Sequence, residues 1–553
     1  MNVSELLVAA LERANVRFVF GLPGDENLPF VEAVRASSQI QFVLTRHEAG
    51  AGFMAAAHGY QTGDLAVAMS TLGAGSTNLV TPVAHAWLGE MPMIAITGQK
   101  PVLDNRQGRY QLIDVVDIMG PITKYTATVP SAEALPGIVA EAIHQALEYP
   151  QGPAHIELPL DIGALDAEGV TLLPETAAAQ PGPSTEAIDA TIERLRAAER
   201  PVLLVGGSAN TRHDLPPAIR RFLEHTQIPY LSTMMGKGVA DETSDRFLGT
   251  ATMPEMGFAR CAIGHSDLVL SVGHNVMEKA PFTMTPDGPD VIHIHENVAT
   301  PDTIWFPQLQ VLGNMAQTFD ALTAQLDPLP TWDFDGFTRL AAAMRTAIAA
   351  PSPERAGVPV QPQSVAATIR AALGPNDIVS LDNGIHKLWM TRNYPTPEPR
   401  TLMVDSALGS MGPGLPAAIA TKLVHPDRRV LAVVGDGGFL MTGQELETAV
   451  RLGLDLVVVV FNDSGLGMIR QKQTMLGLEN HGVDFANPDM ATLAAAFGAH
   501  GHHLGDASEL AGILDEAYTN GGVHVIDVPI DYGENKGLLM SMKMLDCEAV
   551  ISP

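Results

Sequence analysis

The stretch RVLAVVGDGGFLMTGQELETAVRLGLDLVVVVFNDSGLGMIRQKQ, residues 429–473, decides the fold. It contains two runs of apolar, mostly β-branched residues, 430–434 and 456–461, which predict buried β-strands. A glycine-rich turn ends the first strand, a helix is expected from about Thr442, and the second strand runs into Asn462. This order is typical of parallel sheets with helices on both faces.

The same alternation of strand-like and helix-like segments continues along most of the chain. Further buried strands are expected at 16–21, 65–70, 93–97, 201–206, 267–272 and 524–528. Two segments rich in Pro, Ala and Gly, 174–184 and 350–362, interrupt the alternation as interdomain linkers do. The sequence therefore predicts an α/β protein with three doubly wound parallel-sheet domains, at residues 1–170, 185–345 and 360–540.

Composition and charge exclude several classes of protein. The chain has 553 residues and a formal net charge of −29, which argues against nucleic-acid binding through a basic face. It lacks a long apolar run and a secretory signal pattern, so we expect no membrane association. Cys261 and Cys547 lie far apart in the sequence, so neither a disulfide framework nor a zinc site is expected, and we predict a cytoplasmic protein.

Two turns in the 429–473 stretch have the chemistry of a diphosphate and metal site. They are Gly435-Asp436-Gly437-Gly438 and Asn462-Asp463-Ser464-Gly465, at the carboxyl ends of predicted strands, where doubly wound sheets bind ligands. Glycine lets backbone N–H groups approach a diphosphate. Two carboxylates beside that diphosphate require a cation with oxygen ligands, such as Mg²⁺ or Ca²⁺. Either turn alone is also compatible with an ordinary strand-to-helix connection.

Together the two turns resemble the signature of the thiamine-diphosphate enzymes, a Gly-Asp-Gly turn followed by an Asn-Asn or Asn-Asp pair. The resemblance implies thiamine diphosphate and Mg²⁺ as cofactors. It also implies Asp436, Asp463 and the Gly465 carbonyl as the metal ligands. Many members of the family have Asn at the position of Asp463, and the added negative charge should strengthen the hold on the metal.

The segment RHEAGAGFMAAA, which begins at Arg46, resembles the family's glutamate segment. Glu48 then is the residue that activates the cofactor, and small or apolar residues follow it. Taken alone, Glu48 is also an ordinary acid at a helix start. In the family the glutamate of one subunit's first domain meets the metal motif of another subunit's third domain. The resemblance therefore implies a homo-oligomer, a dimer at least and by preference a tetramer, with the active site between chains.

The same resemblance implies further site residues. Met411, in the segment GSMGPGL, takes the role of the bulky side chain that forces the two cofactor rings together, and the Gly409 carbonyl accepts from the cofactor's amino group. Gln111 falls where a glutamine lies near the reacting carbons. The other candidates for cofactor binding are Pro23, Gly24, Asn78, Ile385, His386, Gly437, Gly438, Leu466, Gly467 and Met468.

Within this family the resemblance is strongest to acetolactate synthases. The loop TLGAGSTN, residues 71–78, parallels their Gly-Pro-Gly-x-x-Asn loop with Ala74 in place of Pro, and VPIDYGEN, residues 528–535, is similar to the catabolic, pyruvate-specific members. The FAD-associated Arg-Phe-Asp-Asp-Arg stretch of the biosynthetic members is missing from 273–279, so FAD is not expected. The implied reaction is decarboxylation of pyruvate and carboligation to a second pyruvate, which gives 2-acetolactate.

Two alternatives stay open at this point. One is another reaction on the same cofactor, either decarboxylation of a different 2-oxo acid or carboligation and cleavage of aldehydes or diketones. Ala74, and Lys472 in place of a tryptophan of the biosynthetic members, keep it open. The other is a non-catalytic homologue, which is disfavoured because Glu48 and both metal carboxylates are present. His85 and His386 are candidates for proton transfer, although a single histidine more often has a structural role.

Overall fold

The computed structural model describes residues 1–103, 109–174, 180–252, 257–327, 332–349, 357–535 and 543–552. These residues form three six-stranded sheets with flanking helices, and every strand pair within the sheets is parallel. The predicted fold class, three doubly wound parallel-sheet units, is confirmed. Each of the predicted ranges 1–170, 185–345 and 360–540 contains one sheet, and the exact boundaries stay a prediction.

The first sheet has the order β2-β1-β3-β4-β6-β5. Its strands are β1 (Phe18–Gly21), β2 (Gln41–Leu44), β3 (Val67–Ser70), β4 (Met93–Gln99), β5 (Tyr125–Thr128) and β6 (Pro153–Pro159). Its helices are α1 (Val3–Arg13), α2 (Leu28–Ala36), α3 (Glu48–Thr62), α4 (Ala74–Asn78), α5 (Val80–Leu88), α6 (Val115–Met119), α7 (Leu135–Leu147) and α8 (Leu160–Ala164).

The second sheet has the order β12-β11-β10-β7-β8-β9. Its strands are β7 (Pro201–Val205), β8 (Tyr230–Thr233), β9 (Phe247–Ala251), β10 (Leu268–Val272), β11 (Asp290–His295) and β12 (Leu309–Leu312). Its helices are α9 (Thr185–Ala197), α10 (Ser208–Thr211), α11 (Leu215–Thr226), α12 (Gly257–His265), α13 (Met315–Gln325) and α14 (Asp335–Ile348).

The third sheet has the order β14-β13-β15-β16-β18-β17. Its strands are β13 (Ile378–Leu381), β14 (Leu402–Val404), β15 (Val430–Gly435), β16 (Leu456–Asn462), β17 (His500–His503) and β18 (Val523–Pro529). The helices from here on are α15 (Pro362–Ala372), α16 (Ile385–Asn393), α17 (Gly414–Val424), α18 (Asp436–Thr442), α19 (Glu445–Arg451), α20 (Gly467–Met475), α21 (Met490–Ala496), α22 (Glu509–Asn520) and α23 (Cys547–Ile551).

The two strands of the 429–473 stretch are β15 and β16, which are adjacent and buried almost throughout. Continuous burial explains their unbroken apolar sequence, because both faces of a parallel sheet are covered. The helix expected from about Thr442 begins earlier, since α18 starts at Asp436, directly after β15. Glycine is required inside this helix, because a Cβ on Gly438 would lie 2.5 Å from Asp382 Oδ2.

The first and third sheets share one hydrophobic core, in which α3 packs against α17. Residues of both helices are almost entirely buried, and many are Gly or Ala, which lets the helices approach closely. Glu445 fixes the start of this contact. Its carboxylate accepts hydrogen bonds from the backbone N–H groups of Arg46 and His47, at 3.0 and 3.1 Å.

The absence of a disulfide, expected from the sequence, is wrong. Cys261 in α12 and Cys547 in α23 are joined by a disulfide, with their Cα atoms 5.2 Å apart although 286 positions separate them in the chain. The terminal segment 543–552 returns to the central sheet, where Leu545 and Ile551 pack on the core that contains Cys261. Distance along a chain does not measure distance in space, and for that reason the sequence argument failed.

The linkers predicted at 174–184 and 350–362 lie partly outside the described residues, which omit 175–179 and 350–356. No helix in the described part of the chain is long and apolar enough to cross a membrane.

A polar contact joins the first sheet's domain to the central one. Glu90, which follows α5, accepts a hydrogen bond from Asn275 Nδ2 at 2.6 Å. The same Asn275 amide donates to Ser208 Oγ at 3.1 Å. Burial, and to a lesser degree the nearby carboxylate of Glu278, raise the pKa of Glu90 to about 7. The folded protein therefore holds the protonated form of Glu90 more readily than the unfolded chain does.

We predict that Glu90 makes stability fall with rising pH. A raised carboxyl pKa contributes stability that is present below the unfolded value, near 4.5, and is lost as the pH rises through about 7. Glu90→Gln, which imitates the protonated group, should gain stability relative to the wild type between pH 5.5 and 8. Urea denaturation of both proteins at the two pH values measures this, and parallel pH dependences would contradict it.

Candidate active site

The carboxyl edge of the first sheet gathers several of the predicted site residues. Strands β2, β1 and β3 are neighbours, so the segments that follow them lie together. Gly24 lies against Thr71, since a Cβ at Gly24 would be 2.5 Å from Thr71 Cβ. Asn78 Nδ2 donates to Glu48 Oε2 at 2.9 Å. The structure thus brings Glu48, Asn78 and the Pro23-Gly24 turn to one edge.

Glu48 is the first residue of α3. The preceding His47 caps the helix, and its Nδ1 accepts from the Ala49 N–H at 3.0 Å. The helix that follows is buried from Gly50 to Gln61. A Cβ at Gly75 would lie 3.2 Å from Glu48 Oε1, so glycine there leaves room beside the carboxylate. Glu48 accepts a hydrogen bond from one amide at the start of a largely buried helix.

Gln111 lies near the same edge. Its carbonyl oxygen would be 3.1 Å from a Cβ on Gly73, in the loop that leads to Asn78. The Gln111 side chain is exposed, and its backbone has a φ of 58°. The carboxylate-bearing edge and Gln111 therefore belong to one surface of the first domain.

The carboxyl edge of the third sheet brings Asp436 and Asp463 together. They follow the adjacent strands β15 and β16. Burial, and next the Asp436 carboxylate, raise the pKa of Asp463 to about 6. Burial also raises the pKa of Asp436. Two largely buried carboxylates that repel each other form a site whose ionised state a cation would stabilise.

Asn487 and Arg470 donate hydrogen bonds to these carboxylates. Asn487 Nδ2 donates to Asp436 Oδ2 at 2.7 Å and to Asn462 Oδ1 at 2.9 Å. Arg470 Nη1 donates to Asp463 Oδ2 at 3.0 Å. The sequence arguments missed both residues. Arg470 lies inside the quoted stretch, but only its contact reveals its role, and Asn487 follows no motif that signals this chemistry.

Met411 faces the same turn. A Cβ at Gly437 would lie 3.3 Å from Met411 Cε, 3.4 Å from Phe485 Cζ and 3.5 Å from Leu466 Cδ2. These three apolar side chains surround the backbone of Gly437. Apolar side chains on one side of Gly437 and the neighbouring carboxylate of Asp436 are the groups that a ligand with an organic part and a diphosphate would need.

The Gly409 carbonyl is fixed in place, since it accepts from Asn383 Nδ2 at 2.5 Å. The Gly409 N–H donates to Asp405 Oδ2 at 2.8 Å. A carbonyl oxygen has two lone pairs, so one acceptor position of Gly409 is left for a second donor.

The two histidines considered for proton transfer have structural contacts. His386 Nε2 donates to the Asp382 carbonyl at 3.0 Å, and burial lowers the pKa of His386 to about 3. Because Nε2 carries the proton, Nδ1 has none to donate to a phosphate oxygen. His85 Nδ1 lies 3.2 Å from Asp405 Oδ2, and both side chains are buried. Burial favours a higher pKa for Asp405, but His85 and backbone donors lower it.

The start of α20 lies against these groups. A Cβ at Gly467 would be 2.8 Å from Asp463 Oδ2 and 3.0 Å from Ile385 Cγ2. The predicted positions Ile385 and Gly467 therefore lie beside the Asp463 carboxylate. Leu466 and Met468 flank Gly467 at the start of the helix. Lys472, further along this helix, is exposed.

The side chains of the third sheet fit a diphosphate held through Mg²⁺. In the described residues, no group of three or more His, Cys, Asp or Glu side chains is arranged to bind a metal by itself. Mg²⁺ is commonly held by one or two carboxylates together with phosphate oxygens, which matches the Asp436 and Asp463 pair. Asn487 Oδ1 is also buried without a hydrogen-bond partner among the described residues, so it can accept from a further donor.

Within one chain, Glu48 follows a strand of the first sheet, and the two carboxylates follow strands of the third. Among the described residues no hydrogen bond joins the Glu48 side chain to Asp436 or Asp463, or to Asn487 and Arg470, which contact them. The one side-chain partner of Glu48 there is Asn78. The site residues form two half-sites, one at the edge of each sheet.

Comparisons with known proteins match most of the chain. Residues 1–118 match the model of the thiamine pyrophosphate enzyme N-terminal TPP binding domain, 188–322 that of the central domain, and 382–528 that of the C-terminal TPP binding domain. The acetolactate synthase isozyme 1 large subunit of Escherichia coli is 32% identical over 96% of this chain and 94% of its own length. Acetolactate synthase of Bacillus subtilis is 30% identical over 97% and 94%.

We predict that Asp436→Ala weakens the binding of thiamine diphosphate in the presence of Mg²⁺ by more than about tenfold, because one of two metal carboxylates is lost. Isothermal titration of the purified protein measures the affinity. Asp320→Ala is the matched control, since Asp320 is a half-exposed acid that pairs with Arg221 on the central domain. Unchanged affinity in Asp436→Ala would refute its assignment as a metal ligand.

Proposed function

Because the chain belongs to the thiamine pyrophosphate enzyme family, and is similar to acetolactate synthase large subunits over almost its whole length, we propose that it converts two molecules of pyruvate into 2-acetolactate and CO₂. The observation that supports this most directly is that the predicted carboxylates are present at both half-sites. Glu48 with its amide donor is present at the first sheet, and the Asp436 and Asp463 pair is present at the third.

Thiamine diphosphate, when bound, supplies the nucleophilic carbon and accepts the electron pair that CO₂ leaves behind. In our proposal Glu48 exchanges a proton with the cofactor's pyrimidine ring. Asn78 orients the Glu48 carboxylate by donating to one of its oxygens. The buried, apolar face of α3 excludes water from this proton exchange, which keeps the proton on the groups that need it.

We assign the Mg²⁺ to Asp436, Asp463 and the Gly465 carbonyl. The backbones of Gly437, Gly438, Leu466, Gly467 and Met468 would approach the diphosphate. Met411 would hold the two cofactor rings together, with the Gly409 carbonyl accepting from the amino group. Gln111, at the first sheet's edge, would position the second pyruvate.

We also propose that the working unit is a homodimer at least, and a tetramer by preference. The proposal follows the family resemblance, in which the glutamate of one subunit's first domain meets the metal motif of another subunit's third domain, and here Glu48 and the two aspartates lie on different sheets. Exposed apolar side chains at the end of α20 support it too, since Met475, Leu476 and Leu478 are 64%, 75% and 58% exposed. The prediction of a cytoplasmic compartment loses the support of the cysteine argument, because Cys261 and Cys547 form a disulfide.

FAD is not part of the proposed enzyme. In open α/β sheets a dinucleotide phosphate binds to backbone N–H groups of a glycine-rich turn after a strand. After β7 that turn is Gly206-Gly207, and the Gly207 N–H donates to Glu278 Oε1 at 2.5 Å. A buried carboxylate thus occupies a donor that a phosphate would use, which supports independence of FAD.

The reaction is tested with purified protein, pyruvate, Mg²⁺ and thiamine diphosphate, without FAD. We expect pyruvate consumption that depends on thiamine diphosphate, and acetoin that forms only after acid treatment. A free aldehyde as the product would replace carboligation by simple decarboxylation. No pyruvate consumption by protein that binds the cofactor would contradict the substrate.

We predict that Glu48→Gln nearly abolishes turnover, because an amide cannot exchange the proton. Binding of Mg²⁺ and thiamine diphosphate should stay within about threefold of the wild type, since Glu48 is not one of the proposed metal ligands and its carboxylate is hydrogen-bonded to Asn78. Turnover in the assay above and titration of the cofactor separate the two effects. Turnover like that of the wild type would remove Glu48 from its role.

A further inference from the structure

We propose that Arg470 is a positioning residue for the metal site, which orients the Asp463 carboxylate and offsets its negative charge. This inference rests on the proposed function, in which Asp463 binds Mg²⁺. It extends that function by naming the group that lets an aspartate serve at a position where many family members have asparagine.

The guanidinium of Arg470 is fixed between two carboxylates. Nη1 donates to Asp463 Oδ2 at 3.0 Å, while Nε and Nη2 donate to Asp484 Oδ1 at 3.0 and 2.6 Å. The planar guanidinium has donors in a rigid fork, so the contact to Asp484 sets the direction of Nη1. One oxygen of Asp463 is thereby held, and the other is left for a ligand.

The loop that carries Asp463 is built around this guanidinium. A Cβ at Gly465 would overlap Arg470 Nη2, so only glycine lets the loop backbone lie against the side chain. The loop is also pinned to the segment 483–485, since the Leu466 N–H donates to the Val483 carbonyl at 2.7 Å. Asp463 and the Gly465 carbonyl are therefore held by the same set of contacts.

Charge gives the second reason. Asp436 and Asp463 are two negative groups beside a site for a diphosphate, which is itself negative. Arg470 is the cation in direct contact with Asp463, and the Asp463 side chain is only 10% exposed, so water screens their interaction weakly. With asparagine in place of Asp463 there would be no charge to offset. Asp463 and Arg470 therefore form a functional pair.

Loss of Arg470 should change which cation the site prefers. Freed from Nη1, the Asp463 carboxylate can turn and present both oxygens. Mg²⁺ demands near-octahedral geometry, whereas Ca²⁺ accepts bidentate carboxylates in flexible sites. In Arg470→Gln we expect the affinity for Mg²⁺ to fall about tenfold relative to the affinity for Ca²⁺, because the loss of one positive charge acts on both cations alike. If Arg470 had only a structural role, its loss would change the affinities for Mg²⁺ and Ca²⁺ by the same factor.

The test titrates Mg²⁺ and Ca²⁺ separately into full-length protein that is saturated with thiamine diphosphate, using calorimetry. The variants are Arg470→Gln, Asp463→Asn and the double variant, with Arg221→Gln, which breaks an exposed pair with Asp320, as the control. The double variant should lose less Mg²⁺ affinity than the product of the two single losses, because removing both partners leaves no unpaired charge. Additive losses, or equal losses for Mg²⁺ and Ca²⁺, would overturn the inference.

Arg470→Lys is a second variant, which tests the inference if Arg470→Gln does not fold. It keeps the charge but loses the rigid fork, so we expect the same shift in cation preference, reduced in size. A lysine variant that keeps the wild-type preference would show that charge alone matters and would overturn the orienting role. If the Arg470→Gln and Asp463→Asn effects on Mg²⁺ affinity are non-additive but the wild-type protein makes no acetolactate, only the proposed reaction is contradicted. If the wild-type protein makes acetolactate but the two substitutions have additive effects on Mg²⁺ affinity, only the role of Arg470 is contradicted.

Discussion

The packing of α3 against α17 is the contact on which the rest of the structure depends. Each helix begins where a site segment ends, because α3 starts at Glu48 and α17 starts directly after the segment 409–413, which contains Met411. Small side chains along both helices let them approach closely within a core shared by the first and third sheets. The core thereby fixes the direction in which each site segment leaves it, and Glu445 holds the first turn of α3 from the third domain.

At the edge of the third sheet the constraint is electrostatic, because two carboxylates lie close together. Parallel strands β15 and β16 end side by side, so the residues that follow them are forced together whatever their charge. Asp436 and Asp463 tolerate this position because neutral and cationic donors face them, an amide at the first and a guanidinium at the second. The geometry that makes the pair unfavourable in the absence of a cation is the geometry that the proposed Mg²⁺ site would use.

The sequence predicted what depends on local pattern and failed where tertiary contact decides. Buried strands were predictable because parallel strands covered on both faces need unbroken apolar runs, as in 430–434 and 456–461. The start of α18 was placed too late, since glycines after a strand suggest a turn, and only the nearness of Asp382 explains glycine within the helix. The roles assigned to Glu48 and Asp463 came from resemblance and stay predictions. Arg470 was missed although Asp463 lies only 7 positions before it, because only the fold shows their contact. Asn487 was missed because its partner Asp436 lies 51 positions away.

The disulfide between Cys261 and Cys547 turns more than half of the polypeptide into a covalent ring. The whole third sheet and the later part of the central domain lie within it. A protease that cuts the backbone once anywhere between these cysteines opens the ring but releases no fragment. Two pieces would separate on a denaturing gel only after a reducing agent is added, so cleavage inside the ring would pass unnoticed when thiols are left out.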